Sequence, residues 1–347
     1  MASPAEILAV SKDLSDEGLK ELLETKDEAL AEELRSLARA KADEVFGREV
    51  YLRGLIEWTN NCRNDCYYCG IRKSNNRIAR YTLTRETILK CCADIYKAGV
   101  RTVVLQGGEY PLGAELLTTV VADIRAAWPS MAITVSMGEL PFHTYERYRR
   151  SGADRYLLRH ETADPEHFAK LHPAPKSIES RIRCLGELRS LGFQVGMGMM
   201  VGTPEQGTEQ LIKDIRLMQA FRPEMIGIGP FIPHKDTPFG DRPAGSAETT
   251  LRLYSIMRLM LPDALIPSTT AIAALMPGGR IAGIEAGCNV IMPNFTPSVQ
   301  RSAYTLYEGK TQTEPAAALD AIKQELAAHG YFTGKNRGDH NKHVNNV

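Results

Sequence analysis

One rhythm constrains this chain more than any other feature: from residue 50 onward, short apolar runs alternate with helix-length segments. Val50 to Trp58 is followed by a helix from about Arg85 to Ala98, then the run Thr102 to Leu105 and a helix from about Ala114 to Ala127. Ala132 to Ser136, Tyr156 to Leu158, Val195 to Val201, Met225 to Ile228, Leu265 to Thr269 and Val290 to Met292 continue the series, each leading into a helical stretch. Runs apolar on both faces belong to covered sheets, and strands joined by helical crossovers lie parallel. Eight such units predict an α/β fold, a (β/α)8 TIM barrel, and together they fill the roughly 250 residues or more that such a barrel takes. A doubly wound open sheet is the alternative if the last two runs are not strands.

Two flanks complete the organisation. Ser3-Pro4-Ala5-Glu6 has the form of a capping box, and Leu30, Leu34, Leu37 and Val45 share a helix face that Gly47 ends. Residues 1–48 therefore read as an N-terminal helical extension, 49–332 as the barrel, and 333–347 as a polar tail, disordered or loosely docked.

The chemistry begins at the end of the first strand. Cys62, Cys66 and Cys69 follow it with the spacing C-x3-C-x2-C, and no His or further Cys lies within twenty residues on either side. A structural zinc site is closed by four ligands. Thiolates also hold iron–sulfur clusters, and a cubane with three protein ligands keeps one iron open, so zinc is the weaker reading. In a parallel barrel the strand C-terminal ends share one mouth. Strand two ends there in Gln106-Gly107-Gly108-Glu109, where paired glycines let backbone approach a ligand and a carboxylate can take an ammonium group. Strand three ends at Ser136-Met137-Gly138-Glu139, and strand four runs into Arg159-His160-Glu161-Thr162. A carboxylate suits a ribose diol because it accepts two hydrogen bonds at once. Strand five carries Gly198-Met199-Met200-Val201-Gly202, small enough in places for a flat ring to lie on backbone, with Met197 and Met199 read as core.

This constellation resembles the radical S-adenosylmethionine superfamily. The resemblance implies a 4Fe-4S cluster on Cys62, Cys66 and Cys69, with Tyr68 at the aromatic position of the motif. It implies S-adenosyl-L-methionine chelated on the open iron and cleaved by one electron to a 5'-deoxyadenosyl radical. Gly107, Gly108 and Glu109 would meet the methionine amine, Ser136 and Glu161 the methionine and ribose, and Arg181 the carboxylate, with Arg159 and Met200 in the same pocket.

The second half is similar to the HydE branch of FeFe-hydrogenase maturases, through Ile226 to His234, Asp236-Thr237-Pro238, Ile266 to Thr270, Val290 to Asn294, Thr296-Pro297-Ser298, Tyr304 and Tyr307. That likeness, over roughly residues 45 to 310, implies a small iron-carbonyl-cyanide-cysteine substrate attacked at sulfur. Ser268, Thr269, Thr270 and Tyr304, with Arg159, would line its cavity. A one-electron donor of flavodoxin or ferredoxin type and other hydrogenase maturases are the implied partners. The alternative is a mutase resembling methylornithine synthase, which would need a salt bridge for each charge of an amino acid. A carrier that binds a metal fragment without turnover is a reading from another class. Unlike many HydE sequences, this one has no cysteine in Gly309-Lys310-Thr311-Gln312-Thr313, so no auxiliary cluster is expected. Cys91, Cys92, Cys184 and Cys288 read as buried structural thiols, a placement that argues against biotin synthase.

Composition adds exclusions. Forty-two basic residues balance 42 acidic ones, so no net field points to nucleic acid or an anionic membrane. No apolar run approaches the length of a membrane span, and seven cysteines without a secretory leader fit a reducing cytoplasm.

Overall fold

The alternating runs close on themselves as parallel strands in the computed structural model, which describes residues 2–307 and 315–346. The first run breaks at Arg53 into β1 (Glu49–Leu52) and β2 (Gly54–Thr59). A ladder then runs from β2 through β3 (Thr102–Gly107), β4 (Ala132–Ser136), β5 (Arg155–Leu157) and β6 (Gln194–Met197), which continues after a break as β7 (Met200–Val201). Beyond β6 lies β8 (Met225–Ile226), which continues likewise as β9 (Gly229–Pro230) and pairs there with β7. Leu265 bridges Met225, Pro267 bridges Val290, and β10 (Val290–Ile291) pairs with β1, closing the barrel. The seventh position is only this short stretch, because Pro267 has no N–H for a ladder.

Side-chain alternation decides what faces inward. A Cβ at Gly54 would lie 2.6 Å from Ile95 on the outer helix Arg85–Lys97, so Arg53, Leu55 and Glu57 point into the barrel. Helices Arg85–Lys97 and Ile178–Ser190 start at Thr84 and Ser177, whose side chains accept N–H groups of the first turn. In the N-terminal extension both halves of the Ser3–Glu6 capping box form, and Gly47 ends helix Glu28–Phe46 at φ 62°. Leu8, Leu19, Leu22 and Leu34 join the apolar core of the barrel, and Arg216 on helix Thr208–Phe221 binds Asp13, Asp16 and the Leu14 carbonyl.

The tail departs from the expected loose end. β11 (Phe332–Thr333) pairs with β1, and the residues after it stop the barrel from below. The lowest inward layer is polar: Thr102, Arg155 and Gln194. Arg155 donates to Asp339 Oδ1 at 2.6 Å and to the Arg337 carbonyl at 2.8 Å, Thr102 donates to that carbonyl, and Gln194 donates to Asp339. Tail polarity is thus complementary to a polar floor. The Gly309–Thr313 stretch lies outside the described residues, and among the described residues no helix is long and apolar enough to cross a membrane.

Candidate active site

The three clustered cysteines stand half-exposed at the mouth, whereas Cys91, Cys92, Cys184 and Cys288 are buried. Burial, then the neighbouring Cys62 charge, pushes the Cys66 thiol up to about 12; Cys69 is likewise raised well above its ordinary value by burial and by both other sulfurs. These thiols feel one another, and a metal centre forming there must displace their protons. Among the described residues no three His, Cys, Asp or Glu side chains converge on a single ion. A cubane instead spreads its thiolates over separate irons.

Tyr68 is fixed by a ring from outside the motif. His172 Nδ1 donates to the Phe168 carbonyl at 3.0 Å, which leaves Nε2 to accept from the Tyr68 hydroxyl at 3.0 Å. Burial, with Arg181 beside it, brings His172 down to about 3, so the ring stays neutral. Met200 packs with Leu171 and Phe231 against Tyr68.

Glu109 is engaged by three donors of the protein itself. Its Oε1 accepts from Arg63 Nε at 2.6 Å and Lys176 Nζ at 2.9 Å, and its Oε2 accepts from the Glu139 N–H at 2.8 Å. Burial alone would raise its pKa, but Lys176 and these hydrogen bonds bring it below the usual value. This carboxylate is a hub joining the cysteine loop to the ends of β3 and β4. Gly108 is required by closeness, since a Cβ there would lie 2.4 Å from the Asn61 carbonyl oxygen and 2.6 Å from Cys62 Cβ. Gly107 closes β3 beside Thr59, and Gly138, at φ 69°, leaves room for Glu109. Gly108→Ala should therefore shift the Cys62 turn at a cost of about 1–3 kcal/mol. Iron and sulfide analysis after anaerobic reconstitution should show reduced cluster loading.

Across the mouth, Ser136 ends β4 beside Gln106 in register. Glu161 has φ 69°, a left-handed conformation uncommon for a side chain with Cβ. Its Oε2 touches Arg159 Nη2 at 2.9 Å without the alignment of a hydrogen bond, and Arg159 Nε is buried without a partner as well. The residue between them turns the other way: His160 Nε2 meets buried Asp214 at 2.9 Å, behind the barrel wall. Arg181 is buried, donating to Glu139 Oε1 at 2.9 Å and to the Arg159 carbonyl at 2.6 Å, and its charge reaches Cys66. Two of its donors are therefore engaged by the protein itself.

On the far wall, Thr269 Oγ1 bonds the Tyr254 hydroxyl at 3.2 Å and lies 3.5 Å from where a Cβ on Gly229 would stand. Thr270 Oγ1 meets the Tyr307 hydroxyl at 2.7 Å, and buried Tyr304 accepts from Gln106 at 3.3 Å. Ser268 does not join them. Strand alternation turns it outward, where its hydroxyl donates to the Arg280 carbonyl at 2.9 Å and contacts Gly283 of an outer helix. Sequence reasoning gave no role to Lys176, His172, Arg63 and Glu139. For Glu139 a signal was present, since Gly138-Glu139 repeats Gly108-Glu109 one strand later.

The donor set fits the implied groups: three thiols at one loop, and beside them buried Arg159 Nε and Glu161 Oε2 with polar valence to offer a ligand. This is the site of a radical SAM enzyme, and residues 56–218 match the radical SAM superfamily. Enzymes of this superfamily use a 4Fe-4S cluster and S-adenosyl-L-methionine, and so does this chain. It is 42% identical over 300 residues to the [FeFe] hydrogenase maturase subunit HydE of Thermotoga maritima, covering 86% of this chain and 85% of that one, and it belongs to that family. A 3-methylornithine synthase of Methanosarcina barkeri is 29% identical across 85% of this chain and 83% of its own length. The crystal structure of methylornithine synthase PylB superposes with a TM-score of 0.85 at 26% identity, covering 96% of this chain and 97% of that one. The maturase HydG shares the fold at a TM-score of 0.80 and 20% identity, over 96% of this chain and 75% of its own.

Proposed function

We propose that this enzyme acts on a small sulfur-containing substrate, an iron-cysteine unit carrying carbon monoxide and cyanide, during assembly of the [FeFe]-hydrogenase active site. Cys62, Cys66 and Cys69 would hold the cluster, which with its cofactor supplies one-electron cleavage of a sulfonium to an adenosyl radical. Tyr68, held by His172, and Met200 would pack against the nucleoside. Arg159 and Glu161 would meet its polar groups together with Ser136, and the backbone of Gly107 and Gly108 would line the methionine end. Glu109 and Arg181 would act by orienting the cysteine loop and the β4 end.

One observation carries the choice of substrate. Gly227 and Gly229 present bare backbone to the interior, where a Cβ would come into ordinary contact, at 3.5 Å or more, with Leu157, Arg159 and Thr269. A cation and a hydroxyl beside bare backbone suit a compact anion, with Thr270 and Tyr304 toward the rim. Electrons would come from a flavodoxin- or ferredoxin-type donor, and other hydrogenase maturases inside the cell would supply or receive the unit.

The close superposition on PylB supports one other reading, a mutase acting on an amino acid. Both are tested by expressing the chain in a host with an [FeFe] hydrogenase but no HydE. Restored hydrogen evolution is the expected result. Formation of 5'-deoxyadenosine without restored hydrogenase, and with 3-methylornithine among the products, would instead favour the mutase.

A further inference from the structure

The loop that carries the cysteines is wrapped around one guanidinium. Arg80 Nη1 donates to the carbonyls of Asn60 at 2.7 Å and Ile71 at 2.8 Å, while Nη2 donates to those of Arg72 and, at 3.1 Å, Asn75. These acceptors bracket the triplet, for Asn60 precedes Cys62 and Ile71 follows Cys69 closely. The loop adds its own ties: Asn75 Nδ2 donates to the Gly70 carbonyl at 2.7 Å, and the Lys73 N–H donates to the Asn64 carbonyl at 2.8 Å. The Arg80 charge also acts on both Cys62 and Cys69. A planar fork bonding four carbonyls in two directions is a task that a lysine ammonium, a point charge, does not reproduce.

We propose that Arg80 is a positioning residue for the cluster: it clamps both ends of the cysteine loop before any cluster is present, and its charge beside the sulfurs makes the bound cluster easier to reduce. The first part follows from bonds made wholly within the protein. The second follows because a nearby cation stabilises the more negative, reduced state of a cluster. The inference rests on Cys62, Cys66 and Cys69 being the ligands, as proposed above.

Arg80→Lys and Arg80→Met, with Cys66→Ala alongside, separate the possibilities. Three quantities are read: hydrogen exchange of the loop amides from 70 to 77 in the apoprotein, the rate of iron loss to a chelator, and the reduction potential by electron paramagnetic resonance. Arg80→Lys should speed loop exchange and iron loss by about tenfold, the equivalent of one strong hydrogen bond lost, with little change in potential. Arg80→Met should do the same and also lower the potential. Parent-like values of all three in Arg80→Met, with cluster lost in Cys66→Ala, would overturn the role of Arg80. A cluster retained in Cys66→Ala would instead overturn the ligand assignment. Should Arg80→Met not fold, Arg80→Lys and the unaltered apoprotein decide, and unprotected loop amides in the latter would refute the clamp.

Discussion

Cys66→Ala should abolish cleavage of S-adenosyl-L-methionine, while Cys92→Ala should leave it near the level of the unaltered enzyme. The contrast follows from position. Cys66 lies at the mouth among two other sulfurs and the Arg181 charge, and with the ligand set proposed above its loss would leave two thiolates where three are needed. Cys92 is fully buried on helix Arg85–Lys97, in the apolar layer outside the barrel. Removing its sulfur leaves a small void and costs about 1–3 kcal/mol of stability with no loss of cluster. Production of 5'-deoxyadenosine under reducing, oxygen-free conditions, together with iron per chain, checks both halves. Equal loss in the two variants would refute the division of roles.

Asp339→Ala has the largest expected effect on stability. Arg155 is entirely buried, and Asp339 is its ion-pair partner at 2.6 Å. Breaking a buried pair from one side strands the other charge, at about 3–5 kcal/mol. The inward guanidinium of Arg53, itself buried with two unpartnered nitrogens, also feels the Asp339 charge. Burial would raise the Asp339 pKa, but Arg155 and its other partners hold it below the ordinary value. A depressed carboxylate contributes stability that is complete above the unfolded pKa of about 3.9 and is lost as pH falls through the folded value. Denaturant midpoints should thus drop for Asp339→Ala near neutrality, and the gap from the parent should narrow in strong acid. An unchanged midpoint at neutral pH would show that the tail is not an essential floor.

The barrel was legible in the sequence because apolar strand runs and capped helices repeat with few interruptions. The cysteine triplet was legible because its spacing is local. What escaped depends on partners far apart in the chain. The polar tail read as disordered or loosely docked because nothing nearby announces a barrel floor of Thr102, Arg155 and Gln194. Glu109 read as a ligand acceptor because Lys176, which occupies it, lies 67 residues away. Ser268 was grouped with Thr269 although neighbours on a strand face opposite ways, and its hydroxyl bonds the Arg280 carbonyl instead.

The stitching of the barrel is unequal. From β2 to β6 each stave pairs with the next in one continuous sheet, and this half bears the sulfur loop and the carboxylate hub. Opposite it, β6 and β8 are interrupted at glycines, and the seventh stave is tacked to its neighbours by single bridges. Such a vessel has a densely paired side, where the proposed cluster loop sits, and a sparsely paired side facing it.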